Sequence, residues 1–162
     1  MEGVSVANYN CPGQIVITGW TDAVEKAAER LKAAGAKRIL PLKVSGPFHS
    51  PLLKEAGKEL EEELKNVELS ELKIPYVTNV TAEYVSEIDQ TKELLAKQVA
   101  APVRWQQSVE EMLSQGVDTF IEIGPGRTLT GFMRKISREV RTYNISTVED
   151  LKKVVNELCK IH

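Results

Sequence analysis

The chain has 162 residues, with 21 basic against 23 acidic side chains, two His and two Cys, and 42% hydrophobic and 27% charged residues. That length sets one medium domain or a piece of a larger one, and the composition excludes a disordered or low-complexity chain. A net charge of −2 argues against a general nucleic-acid binder, and the two Cys and two His lack the close spacing of a structural zinc site. No apolar run approaches the ~18–20 residues that span a bilayer, so no membrane association is expected. The start MEGVSVANYN lacks the basic segment and apolar stretch of a signal peptide, and a reduced, cytoplasmic setting is the expectation. No metal or cofactor is expected.

Taken along the chain, Ile15-Val16-Ile17 between Pro12-Gly13 and Gly19 reads as a strand. Asp22 with Glu25 fits a capping box; Val24, Ala27, Ala28 and Leu31 follow at helical spacing, and Gly35 supplies the stop. Residues 38–44 read as a returning strand, bent or at an edge because of Pro41. Gly46, Pro47 and Pro51 then stiffen a loop around His49, and Ser50-Pro51 caps a helix with Leu53, Ala56, Leu60 and Leu64 on one face. Residues 74–81 are extended. Helices are predicted over 93–98, with Leu94 and Leu95 inward and an end at Ala101-Pro102, and over 105–115, closed by Gly116. Residues 119–123 form the best strand, leading through Gly124-Pro125-Gly126 into a helix carrying Leu129, Phe132, Met133 and Ile136. A strand over 140–145 then pairs in parallel with it, and Thr147 to Asp150 cap a last helix with Leu151, Val154, Val155 and Leu158.

His49 is the residue to explain. The other histidine, His162, is terminal and expected to fray. Imidazole titrates near neutrality, and rigid loops are where catalytic groups are commonly held. On the residues alone two readings stay open, a proton-transfer group or a structural His bonded to nearby backbone. Ser45 and Ser50 flank it, but sequence neighbours rarely reach the ring with attack geometry, and no G-x-S-x-G elbow occurs. Gly124-Pro125-Gly126 reads either as a helix N-terminal anion site, which could take CoA phosphates, or as a tight turn. Cys11 has no charged neighbour to activate it and is read as a buried hydrophobe. Arg134, Lys135, Arg138 and Arg141 form a basic run, with Arg134 and Arg138 on one helix face, that is either solvated or a dock for an acidic partner.

Five pieces in order carry a resemblance: residues 8–19 (NYNCPGQIVITG), residues 34–45, residues 47–50 (PFHS), residues 102–105 (PVRW) and residues 121–131 (IEIGPGRTLTG). Together the chain resembles the malonyl-CoA:acyl carrier protein transacylases of bacterial fatty acid synthesis, along essentially its whole length. Acyltransferase domains of polyketide synthases share much of the pattern. The resemblance implies an α/β fold, part of an α/β-hydrolase-like acyltransferase domain with a ferredoxin-like small subdomain. Residues 1–44 would complete the small subdomain and 45–162 the larger domain. It covers only the C-terminal half of such an enzyme. The family's serine in a GHSxG elbow, its malonyl-pairing arginine and its oxyanion-hole glutamine are absent, so the chain is expected to be a fragment that is inactive alone.

Residue by residue, the resemblance makes His49 the catalytic histidine, with the backbone carbonyl of Gln98 orienting its other ring nitrogen. Asn8, Asn10 and Gln14 match residues that line the active-site gorge. Phe48 is bulkier than the family's usual residue there and would narrow the pocket. The implied partners are malonyl-CoA, acyl carrier protein and the missing N-terminal half. The alternatives are a carrier-protein-binding module without chemistry, or a piece of a polyketide synthase acyltransferase.

Overall fold

The computed structural model describes residues 2–44 and 46–160; Ser45 and His162, both considered above, lie outside them. Within those residues the fold is α/β: three two-stranded sheets and six α-helices. None of the described helices is long and apolar enough to cross a membrane.

Strands β1 (Val4–Cys11) and β2 (Gln14–Gly19) form an antiparallel hairpin. The expected strand at Ile15–Ile17 is therefore the return arm of a hairpin whose first arm the sequence does not announce. Two bulges, at Ala7 and Asn10, break the register of β1 and with it the alternation that marks a strand. Helix α1 (Thr21–Ala33) is capped by Trp20 without any side-chain hydrogen bond, and Asp22 lies inside its first turn. The expected Asp22–Glu25 capping box is thus corrected: the helix begins two residues too early for Asp22 to flank it. The expected stop is present. Gly35 takes φ 94° and lets Ala36 N–H reach the Leu31 carbonyl at 2.9 Å and its own N–H reach that of Lys32 at 3.1 Å.

Residues 38–44 are not a strand, which also corrects the strand–helix–strand unit. Pairing needs a neighbouring edge, and no described strand runs beside this segment. Its apolar side chains stay in solvent, with Leu40 58%, Leu42 60% and Val44 65% exposed.

Ser50 caps a 3₁₀ turn, Pro51–Leu53, that runs into α2 (Lys54–Leu64). The inward face of α2 departs from expectation at one position: Ala56 is exposed and Gly57 is buried. A Cβ at Gly57 would stand 3.0 Å from the Ala96 carbonyl oxygen, so the missing side chain lets α2 lie close on α3 (Thr91–Gln98). The extended reading of residues 74–81 reduces to β3 (Tyr76–Val77), paired with an unanticipated β4 (Tyr84–Val85). The intervening residues turn, held by Ala82 N–H on the Thr78 carbonyl at 3.0 Å.

Helix α4 (Trp105–Ser114) leads to β5 (Thr119–Ile123), α5 (Thr128–Ile136), β6 (Arg141–Ile145) and α6 (Val148–Leu158). β5 and β6 pair in parallel from Thr119↔Arg141 to Ile123↔Ile145, as a crossover helix between them demands. Thr147 and Asp150 make a reciprocal capping box on α6. The core sits where β1 packs on α4 and α5, around buried Ala7, Cys11, Val109 and Met133. A backbone bridge extends that sheet edge: Tyr9 N–H donates to the Val103 carbonyl at 2.8 Å, and Val103 N–H to that of Ala7 at 2.7 Å. The hairpin is thereby stitched to the segment that joins α3 to α4.

Candidate functional site

His49 adopts φ 54°, a left-handed conformation that costs a non-glycine residue energy unless its surroundings impose it. Here they do. Ser50, only 1% exposed, donates its hydroxyl to the Pro47 carbonyl at 2.7 Å and accepts from Leu52 N–H at 3.3 Å. This clamp closes the turn around His49 and starts the helix in the same stroke, and Pro51 fixes the next φ. Phe48 points away from the interior and is 53% exposed, against Gly46.

The half-buried His49 ring has one protein partner among the described residues: Nδ1 lies 3.1 Å from the Gln98 backbone carbonyl oxygen. A carbonyl only accepts, so Nδ1 carries the hydrogen and the neutral ring presents Nε2 as a bare acceptor. Gln98 is the last residue of α3, whose C-terminal carbonyls lack helical partners, so its oxygen is free to accept. Close packing at Gly57 brings the two helices near enough for the bond.

The Gln98 side chain is also engaged, with Asn79 Nδ2 3.5 Å from its Oε1. Asn79 is anchored through its own carbonyl, which accepts from Arg104 N–H at 3.3 Å, while the Arg104 guanidinium donates to the Thr81 carbonyl at 3.0 Å. Sequence reading missed Asn79 and the role of Arg104, which entered only as part of residues 102–105; the expected Ser50-Pro51 cap is present, and the Ser50 hydroxyl bond to Pro47 adds to it.

Asn8, Asn10 and Gln14 all lie on the hairpin and are half-buried. Asn8 is bridged by backbone to Val103, one residue from Arg104, and so adjoins the His49–Gln98–Asn79 network. Asn10 falls at a bulge, and Gln14 Oε1 accepts a weak 3.7 Å contact from the Cys11 thiol. No described hydrogen bond links either to His49. Cys11 is buried, as read.

Gly124-Pro125-Gly126 is a turn and not a site for an outside anion. The Glu122 carboxylate already occupies the amides that open α5, accepting from Leu129 N–H at 3.1 Å, Thr130 N–H at 2.8 Å and the Thr130 hydroxyl at 2.6 Å. Burial pushes the Glu122 carboxyl up, and the Thr130 hydroxyl and the backbone N–H groups outweigh it, leaving it below the ordinary carboxylate range. Asn144 and Ser146, at the end of β6, hold the turn from the other side through the Gly126 and Gly124 carbonyls at 2.9 and 3.0 Å.

The basic run does not form one face. α5 ends at Ile136 and Ser137 is extended, so Arg134 and Arg138 do not share a helix, and Arg141 is paired with Asp118 at 2.7 Å. Arg134, in the last turn of α5, lines a shallow cleft with Arg127 at the start of that helix and Lys153 on α6, a second basic grouping.

The acyl transferase domain model matches residues 1–156 of the chain. The malonyl CoA-acyl carrier protein transacylase of Bacillus subtilis is 43% identical over 155 residues, which is 96% of this chain and 49% of that protein. The solved malonyl CoA-acyl carrier protein transacylase of Clostridium perfringens superposes with a TM-score of 0.92 at 43% identity, over 98% of this chain and 50% of that one. A malonyl-transacylase solved in complex with its type II PKS acyl-carrier protein gives a TM-score of 0.92 at 39% identity, over 95% of this chain and 50% of that one. The chain spans about half the length of the curated relatives it matches.

Proposed function

The chain belongs to the acyl transferase domain family, and from that premise we propose that it serves the transfer of malonyl from malonyl-CoA to acyl carrier protein through an acyl-serine intermediate. His49 is the general base and acid. Its Nε2 takes the proton of the serine hydroxyl as the serine oxygen adds to the malonyl thioester carbonyl. When the carbon–sulfur bond breaks, the imidazolium returns that proton to the coenzyme A thiolate. In the second half, Nε2 takes the proton of the carrier protein's thiol, the sulfur attacks the malonyl-serine ester, and the proton returns to the serine oxygen.

The observation that carries this reading is the Nδ1 contact to the Gln98 carbonyl, which fixes the tautomer that a base requires. A neutral carbonyl holds the imidazolium less tightly than a carboxylate would, and catalysis then leans on geometry. Ser50 is unsuited to be the nucleophile, because its hydroxyl is buried and spent on Pro47. The serine is assigned to the portion of the relatives that this chain does not span. Residues 1–44 are assigned to a small ferredoxin-like subdomain and residues 45–162 to the larger domain, with Asn8, Asn10 and Gln14 on the small subdomain's side of the substrate gorge. Asn8's backbone bridge to Val103 supports that placement by bringing the hairpin beside the histidine network.

The test is complementation. The chain alone should transfer no malonyl above background, and mixing it with the N-terminal half of the Bacillus subtilis relative should restore transfer. In the restored enzyme, His49→Ala should slow acylation by roughly 10²–10⁴-fold. Turnover by the isolated chain, or wild-type rates for His49→Ala, would end the reading.

A further inference from the structure

We propose that Asn79 is a positioning residue for His49, acting through Gln98; the proposal rests on the reading of His49 as the base. The physical problem is that the Gln98 carbonyl belongs to the last residue of a helix of eight residues. Helix ends fray, and the amides that follow do not use the Gln98 carbonyl: Val99 and Ala100 N–H turn back to Ala96 and Lys97 at 3.3 Å, and Ala101 N–H to Lys97 at 3.1 Å. A carbonyl in that position needs a second restraint to keep a 3.1 Å bond to a ring 49 residues away.

The Gln98 side chain supplies the handle and Asn79 the anchor. The contact sets the Asn79 amide N–H on the Gln98 side-chain oxygen at 3.5 Å, and turning both amides together keeps a donor facing an acceptor. Asn79 itself is unusually well fixed for a residue in a turn. Thr78 before it is buried, its N–H donates to the Glu83 carbonyl at 3.2 Å, and its hydroxyl accepts from Val80 N–H at 3.3 Å. Arg104 grips the same turn twice, by its N–H on the Asn79 carbonyl and by its guanidinium on that of Thr81. Arg104 follows Val103, the residue bridged to β1. A continuous path therefore runs from the hairpin through Arg104 and Asn79 to Gln98 and the His49 ring, joining the two sides of the proposed gorge.

The experiment is nitrogen NMR of this chain with labelled histidine, read at a pH where the His49 ring is neutral. The wild-type chain should show hydrogen on Nδ1. Asn79→Ala and Gln98→Ala should each raise the ratio of the Nε2–H to the Nδ1–H form by roughly threefold or more, and the double variant should add little to either. Asn79→Ser, which keeps a polar side chain too short to reach Gln98, should match Asn79→Ala. An unchanged tautomer in the Asn79 variants, additive effects in the double variant, or loss of the folded spectrum in both Asn79 variants would overturn the role. None of these outcomes depends on turnover, so failure here is separable from failure of the His49 assignment, which the complementation assay reads.

Discussion

Residues 38–44 and 46–53 are neighbours in the chain and share a liking for proline and large apolar side chains. The first stretch crosses the surface without regular secondary structure, with Leu40, Leu42 and Val44 in solvent and, among the described residues, one backbone bond within it, Val44 N–H on the Leu42 carbonyl at 3.1 Å. The second closes on itself through the buried Ser50 hydroxyl, holds His49 at positive φ, and reaches across to α3. The difference lies in what each stretch depends on. The His49 turn gets its restraints from its own residues and from one helix within the chain. The 38–44 segment has the composition of a strand and lacks a partner edge. A locally specified turn forms wherever it is placed, whereas a strand is defined by its neighbour.

The largest effect expected on this contrast comes from attacking the helix that reads the histidine. Gln98→Pro removes an N–H from α3 and sets the proline ring against the preceding turn, at a cost of about 3 kcal/mol. It should abolish the Nδ1–H preference of His49 and, in the complemented enzyme, reduce acylation as strongly as His49→Ala. If Gln98→Pro kept near wild-type acylation, the rigidity claimed for the histidine side of the comparison would be wrong. Gln98→Ala separates the two groups of that residue: it keeps the carbonyl and loses only the tether to Asn79, so its loss should be much the smaller.

Much of the fold could be read from the residues, and the exceptions share a cause. α4, β5, α5, β6 and α6 carry their own periodicity and their own ends, such as Gly116 and Thr147, and fall within a few residues of expectation. β1 was hidden because bulges at Ala7 and Asn10 spoil its alternation, and β4 because a two-residue strand has no period at all. The capping box at Asp22 failed because such pairs are common by chance and only the backbone shows which residue flanks the helix. Segment 38–44 misled because strand composition says nothing of a partner. At the site, His49 stood out by its loop, but its link to Gln98 came from resemblance, and Asn79 lay beyond any local pattern because its contact is purely tertiary. The Arg134–Arg138 face failed because the helix ends at Ile136, two residues short.

A second, smaller effect tests local specification at another turn. Glu122 on β5 caps α5 across the Gly124–Gly126 turn, so Glu122→Ala should cost about 1 kcal/mol, the usual worth of a cap. Because folding depresses this carboxyl's pKa, the stability it contributes is present above the pKa of the unfolded chain and is lost as pH falls through the lower folded value. The wild-type melting temperature should therefore fall more steeply in acid than that of Glu122→Gln, whose amide has no charge to lose. Parallel pH curves for the two would remove Glu122 from the account of that turn.

The solvent-facing segment should respond in the opposite manner. Leu40→Ser and Leu42→Ser remove apolar atoms that are already wet, so each should shift the chain's own stability by no more than about 0.5 kcal/mol. The same changes should reduce self-association in sedimentation, since contiguous exposed apolar surface drives it. In the complementation assay they should weaken recovery of activity without altering the turnover of assembled enzyme. A large drop in the melting temperature of the lone chain would instead show that residues 38–44 are packed in solution, and would erase the contrast with the His49 turn.

The smallest effect concerns the carrier protein, which we take to be acidic. Of the basic residues considered, Arg141 is committed to Asp118, and Arg138 lies beyond the end of α5. Arg134 and Lys135 remain on α5, and of these Arg134 lies beside Arg127 and Lys153 in a cleft between α5, β6 and α6. Asp150 and Glu157 line the same cleft, so its field is diluted. Asp150, however, is spent on the α6 cap, where its carboxylate accepts from the Ser146 and Thr147 N–H groups at 3.1 and 3.0 Å. The excess charge therefore sits on the Arg127 and Arg134 side. Steering by such a patch acts mainly on the association rate and is screened over about 10 Å at 0.1 M salt. Arg134→Glu in the complemented enzyme should accordingly raise the KM for carrier protein a fewfold at low salt, lose most of that effect at 0.5 M salt, and leave acylation by malonyl-CoA unchanged. If carrier-protein kinetics at low salt do not move, this cleft is a solvated surface, and docking is to be sought at Lys37, Arg38 and Lys43, beside the exposed segment.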